Sequence, residues 1–300
     1  MTPQQSTDAI FIKLGFLEMS AYGHVAIAVQ RWLCWLCSCF FRAAAWVGVR
    51  RKVRAMPDVE TWRAFADGLR PEGLHILATS DVREIGDEKT RIRILGLMLL
   101  SRTLSNLKSS LMLLDAGQTV EARILARCCY ENTLWIQGLM HGGKKFMDEV
   151  IGDHMKHRRI SMRALLKGEE FDEAREQKVR QWLRDTKNWE TSDTLTPGAI
   201  AKKVGDEAYI FYRQFSLDAH PSIETLNRYF VPSKADGDRG TIDVEPEFGS
   251  DEVVETLNLL CLPVVRVFLG VSHLLGHAET PPRLQDVAEE YKRLTIATKL

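Results

Sequence analysis

The 300-residue chain has no net charge, with 40 Lys and Arg set against 40 Asp and Glu. That balance argues against a protein that tracks a nucleic-acid duplex or a membrane surface by bulk electrostatics. It has no glycine-rich loop to cradle a phosphate, which argues against the common nucleotide-binding classes. No stretch alternates apolar and polar residues for long enough to build a sheet, and no internal repeat recurs. The six cysteines give no pairing framework: Cys34, Cys37 and Cys39 crowd together, Cys128 and Cys129 adjoin, and Cys261 stands alone. A reduced, cytoplasmic setting is the default for such usage. Metal-ligand spacing is also missing. Cys34-x-x-Cys37 has no second pair, and His273 and His277 enclose Leu274 where a zinc protease would carry Glu. No metal and no cofactor are therefore expected.

What is present begins with an uneven charge distribution. Residues 1–55 hold seven Lys and Arg against Asp8 and Glu18, which leaves the remainder at −5. Residues 25–49 are apolar and rich in Trp and Phe, and Arg50, Arg51, Lys52 and Arg54 follow them. Three readings of this extension stay open. It is a membrane-associated helix that would place the chain at the inner membrane, a packed accessory helix, or a segment appended by an upstream start. Arg31 and Arg42 oppose the first, since a cation near the bilayer centre costs ~2.5–3.5 kcal/mol. The domain proper is expected over 56–300.

From Met56 onward the periodicity is helical. Helices are predicted over 59–69 and 74–85, split by the turn Arg70-Pro71-Glu72-Gly73, and then over 92–114 and 119–139, the latter stopped at His141-Gly142-Gly143. More polar helices follow at 146–166 and 171–189. Thr196-Pro197-Gly198 opens the region leading to a helix over 209–220, a short helix covers 222–229, a polar loop spans 233–250, and closing helices cover 251–275 and 281–298. The fold class is all-α: a single helical bundle with a hydrophobic N-terminal helical extension.

One helix carries the chemistry. Tyr209, Arg213, Ser216 and His220 recur at intervals of four, three and four, which places them on one face, while Phe211, Phe215 and Ala219 take the opposite one. Pro221 disfavours helical geometry at His220, leaving that imidazole at the helix C-terminal end, where a protonated histidine is favoured. A cation, an imidazole, a hydroxyl and a phenol on one stripe are costly to bury without partners and chemically capable in a cleft. Elsewhere, His154, His157, Arg158 and Arg159 read as a solvated basic face, and Trp182 and Trp189 as packing residues. Cys128 and Cys129 read as small buried hydrophobes with no base in reach.

Arg213, the polar Gln214 and His220 together match the Arg-polar-x(4–6)-His pattern of HEPN-type domains, small helical bundles of which many are metal-independent ribonucleases that work as dimers. The wider context resembles a bacterial domain-of-unknown-function family, number 5677, over roughly residues 92–275. Its Arg-x3-Glu helix would be Arg127 to Glu131, and its Tyr-x-x-Tyr-Arg-x-x-Ser-x-x-x-His-Pro helix would be Tyr209 to Pro221. The resemblance implies a metal-independent endoribonuclease of toxin or phage-defence type, with Arg213 and His220 catalytic and Tyr209, Ser216, Gln214, Glu131 and Arg127 in support. Its partners would be RNA, a second copy of the chain and an antitoxin or other protein. The alternative is a non-catalytic interaction or anion-binding module, in which Arg213 pairs with Glu131 inside the bundle and the polar stripe is structural.

Overall fold

The computed structural model describes residues 57–80, 87–168, 172–206, 209–232 and 240–298. The extension over 1–55, with every reading placed on residues 25–49, lies outside the described residues. Among the described residues the architecture is all-α, with nine α-helices and a ribbon of two three-residue strands.

Helix starts follow the polar residues that the sequence supplies. Asp58 caps α1 (Val59–Thr79), its side chain accepting the Thr61 N–H at 2.8 Å, and Asp87 caps α2 (Glu88–Asp115) through Thr90 at 2.7 Å. The turn expected at 70–73 does not form, and Pro71 lies inside a single α1. The reason is packing. Trp62, Ala66, Leu69, Gly73 and Ile76 make one unbroken buried stripe, and burying each large apolar side chain contributes about 1.5–3 kcal/mol. Gly73 lets α2 approach so closely that a Cβ there would lie 2.4 Å from Leu104 Cδ2. A break at Pro71 would separate these contacts.

The two helices expected over 119–139 and 146–166 are one element, α3 (Thr119–Gly168), which bends at Gly143 with φ 49° and ψ −126°. Glycine alone tolerates that backbone cheaply, so the predicted stop survives as a kink. Asp172 caps α4 (Glu173–Asp185), a 3₁₀ turn follows at Lys187–Trp189, and Thr196 caps α5 (Pro197–Val204). Next come α6 (Tyr209–Asp218) and α7 (Ile223–Asn227). Strands β1 (Phe230–Pro232) and β2 (Gly240–Ile242) then pair antiparallel, Val231 opposite Thr241, the second of them inside the stretch predicted to be loop. The closing helices are α8 (Ser250–Leu274) and α9 (Pro282–Thr298).

The core is built around α8, which packs on α1, α2, α3 and α9. It is the one described helix long and apolar enough to cross a membrane, and 89% of its most apolar window is buried against its neighbours. Pro263 sits mid-helix in α8, removing the N–H that would bond the Leu259 carbonyl. The buried hydroxyl of Tyr130, from α3, donates to that carbonyl at 2.9 Å, so the lost bond is replaced by a tertiary one. Tyr130 also packs at a tilt against Phe211 and Phe215 of α6, with ring centroids 6.1 and 6.0 Å away. One side chain thus links the core helix to the helix of the candidate site.

Candidate active site

Helix α6 is held on α3 by two arginines one turn apart. Arg127 makes an ion pair with Glu131 at 3.0 Å and donates to Tyr212 Oη at 2.9 Å and Ser216 Oγ at 3.1 Å. Its guanidinium also lies over the Tyr212 ring, 5.1 Å from the centroid. Burial works against the charge on Arg127, but the Tyr212 hydroxyl and the Glu131 carboxylate hold its pKa above the ordinary arginine value. One turn earlier, Arg123 is buried. It pairs with Asp218 at 2.8 Å and Glu252 at 2.9 Å, and stacks over Phe215 at 5.2 Å. Arg228, just beyond α7, closes onto Glu252 from the other side. Thr225 donates to Leu217 O at 2.9 Å and its N–H is capped by Ser222, which fixes the turn between α6 and α7.

This arrangement redistributes the predicted stripe. Ser216 and Tyr212 turn toward Arg127, and Tyr209 stacks on Tyr212 with ring centroids 5.4 Å apart. Gln214 reaches Glu255 of α8 at 3.3 Å. Arg213 is exposed, and so is His220, and neither has a hydrogen-bond or ion-pair partner among the described residues. The carboxylate suggested as a mate for Arg213, Glu131, belongs to Arg127 instead. Helix α6 ends at Asp218, two residues before His220, in keeping with the restriction that Pro221 places on the residue ahead of it, and Asp218, on the buried face, pairs with Arg123. The exposed side of α6 also carries Ile210 and Leu217, 53% and 48% exposed, where a purely polar stripe was expected.

The sequence reading missed Arg123, Asp218, Arg228 and Glu252, and gave Tyr212 no role beyond its place in the motif. A signal existed for Arg123: it stands four residues before Arg127 in an otherwise apolar run, a spacing that puts two cations on one helix face. Asp218 is pushed above the usual aspartate range by burial, with Arg123 and Arg228 pulling it back. The thiols of Cys129 and Cys261 are fully buried and shifted far up, and burial also raises Cys128, the opposite of what a nucleophile needs.

The basic stretch on the second half of α3 is only partly solvated. Arg159 is buried, donating to Leu183 O at 2.5 Å and Thr186 Oγ1 at 2.7 Å and pairing with Glu190 at 3.2 Å, while Arg158 covers the Trp182 ring at 5.1 Å. That face is the seam on which α4 and the 3₁₀ turn dock. His277 has left its helix through Gly276, φ +92°, and no longer lies one turn from His273 on a common face.

Residues 93–238 match the model of a family described as a family of unknown function, DUF5677. No curated protein and no solved structure matches the chain.

Proposed function

We propose, taking as premise that the chain belongs through residues 93–238 to a family of unknown function, that its Arg213–His220 face cleaves RNA without a metal. The observation that carries the reading is the division of labour between arginines. Arg127 and Arg123 consume the nearby carboxylates and hydroxyls to fix α6, and Arg213 on that helix and His220 just past its end are left exposed and without a hydrogen-bond or ion-pair partner among the described residues. A rigid support beneath two free, chemically active side chains is what a catalytic site requires, whereas a structural network would have used them.

In this reading the His220 imidazole takes the proton from a ribose 2′-hydroxyl, and the 2′-oxygen attacks the adjacent phosphorus. The bond to the 5′-oxygen breaks, and that oxygen receives a proton from a second imidazole, leaving a 2′,3′-cyclic phosphate and a 5′-hydroxyl. The planar fork of Arg213 clamps the non-bridging oxygens and offsets the charge that builds on them. One chain supplies one such histidine. The apolar Ile210 and Leu217 beside Arg213 favour a second copy docking on this face, which would bring two His220 side chains to one phosphate. The chain is then a homodimeric cytoplasmic endoribonuclease of toxin or phage-defence type.

The test is cleavage of several RNAs in EDTA by the full chain, beside His220→Ala and Arg213→Ala. Cyclic-phosphate ends, lost in both variants while they melt at the wild-type temperature, support the reading. Intact RNA in every case overturns it. A second reading rests on the absence, among the described residues, of any carboxylate hydrogen-bonded to His220: the face retains an anion without turnover. RNA retention that depends on Arg213 but yields no product would select it.

A further inference from the structure

A cleft of about 340 Å³ opens between the end of α1, the start of α2, the end of α8 and the start of α9. It contains no residue of α6. Of the residues that line it, only Arg93 falls inside the family-matched stretch, so the cleft is separate from the RNA-cleavage proposal.

Its chemistry is lopsided. Among the described residues the one lining carboxylate, Glu72, is already engaged by Arg283 at 2.7 Å. Arg93 bonds the Leu274 carbonyl through Nε at 3.3 Å, and its two terminal nitrogens make no hydrogen bond or ion pair among the described residues, though its charge acts on Asp87 at the start of the same helix. Gly276 allows that placement: a Cβ on it would lie 3.3 Å from Arg93 Nη2, and its φ of +92° turns the chain back across the end of α8. The same turn delivers His277 to the cleft, where its Nδ1 lies 3.3 Å from the Oγ of buried Ser272. That contact orients the ring and leaves Nε2 free. His75 adds a second imidazole from α1. The opposite wall is apolar, formed by Ile76, Leu275 and Leu284.

We propose that this cleft binds a small organic phosphate, its phosphate held by Arg93 and the imidazole of His277 and its apolar or aromatic body laid against Ile76, Leu275 and Leu284. A guanidinium with its fork unfilled recognises a phosphate bidentately, and a cleft of this size lined by apolar side chains with a few convergent polar groups suits a small molecule. The site is built from side chains on three helices and one turn, so it is present before the ligand arrives.

The experiment is a melting titration of the full chain with inorganic phosphate, phenyl phosphate and adenosine 5′-monophosphate. Both organic phosphates are expected to raise the melting temperature at millimolar concentration, and inorganic phosphate to do so less. Arg93→Met should lose at least tenfold in affinity for them, and His277→Ala should lose affinity in the same direction, which keeps the test usable if the first variant misfolds. Arg213→Met should bind both as the wild type does. The proposal is overturned if neither organic phosphate shifts the melting temperature, if inorganic phosphate binds as tightly as phenyl phosphate, or if the loss follows Arg213 and not Arg93 and His277.

Discussion

Removing one oxygen atom from Tyr130 tests how the core helix tolerates its internal proline. The Tyr130 hydroxyl is the donor for Leu259 O, whose helical partner is missing because residue 263 is proline. Tyr130→Phe keeps the ring against Phe211 and Phe215, so it opens no large cavity and isolates the hydrogen bond. A buried carbonyl left without a donor costs about 1–3 kcal/mol. For a domain of 150–250 residues that corresponds to ~2–4 °C in melting temperature per kcal/mol. The same substitution beside Pro263→Ala should cost much less, since the restored N–H of residue 263 would satisfy Leu259 within the helix. Urea unfolding of the four proteins at unchanged m-value gives the coupling directly. An equal cost of Tyr130→Phe in both backgrounds would refute the idea that the tyrosine compensates the proline.

Two further perturbations separate support from chemistry. Arg127→Met strands Glu131 and breaks the bonds to Tyr212 and Ser216, and should cost about 1–3 kcal/mol. Arg213→Met should stay within about 0.5 kcal/mol of wild type, as an exposed side chain with no partner among the described residues implies; urea midpoints of the pair decide it, and equal destabilisation would erase the distinction. Asp218 predicts a pH dependence of definite sign. Its carboxyl titrates above the unfolded-chain value because burial penalises the charge. The native state therefore holds that proton more tightly, and this group's contribution to stability falls as pH rises from the usual aspartate range through the raised value, then levels off. Carbon-detected titration of Asp218 should give the elevated midpoint, and Arg123→Met, which removes the nearest cation, should raise it further; a midpoint at or below that of an exposed aspartate would contradict the burial argument.

How far the sequence specified the fold varies element by element, for a physical reason. Helix starts at 59, 173, 197 and 223 lay within two residues of those expected, where Asp58, Asp172, Thr196 and Ser222 each accept an N–H three residues on, a purely local interaction, whereas α2 starts at 88, four residues before the expected 92, on an Asp87 cap that the sequence reading passed over. Helix stops were less legible. Pro71 reads as a break from its neighbours alone, but the stripe from Trp62 to Ile76 packs on partners remote in sequence, and that burial outweighs the local penalty. Gly143 lies between the two cases, since the backbone bends where glycine permits and the helix resumes beyond it.

The candidate site shows the same division in a form that bears on function. Periodicity places Arg213, Ser216 and His220 on one face, yet it cannot say which of several arginines a carboxylate will choose. Glu131 and Arg127 are one turn apart on α3, and that proximity outcompetes a cross-helix pairing with Arg213. Asp218 carried no local signal at all, because its partner Arg123 lies 95 positions away in the sequence. The residues that fix the site are therefore those with buried long-range partners. The residues proposed to act, Arg213 and His220, have none among the described residues.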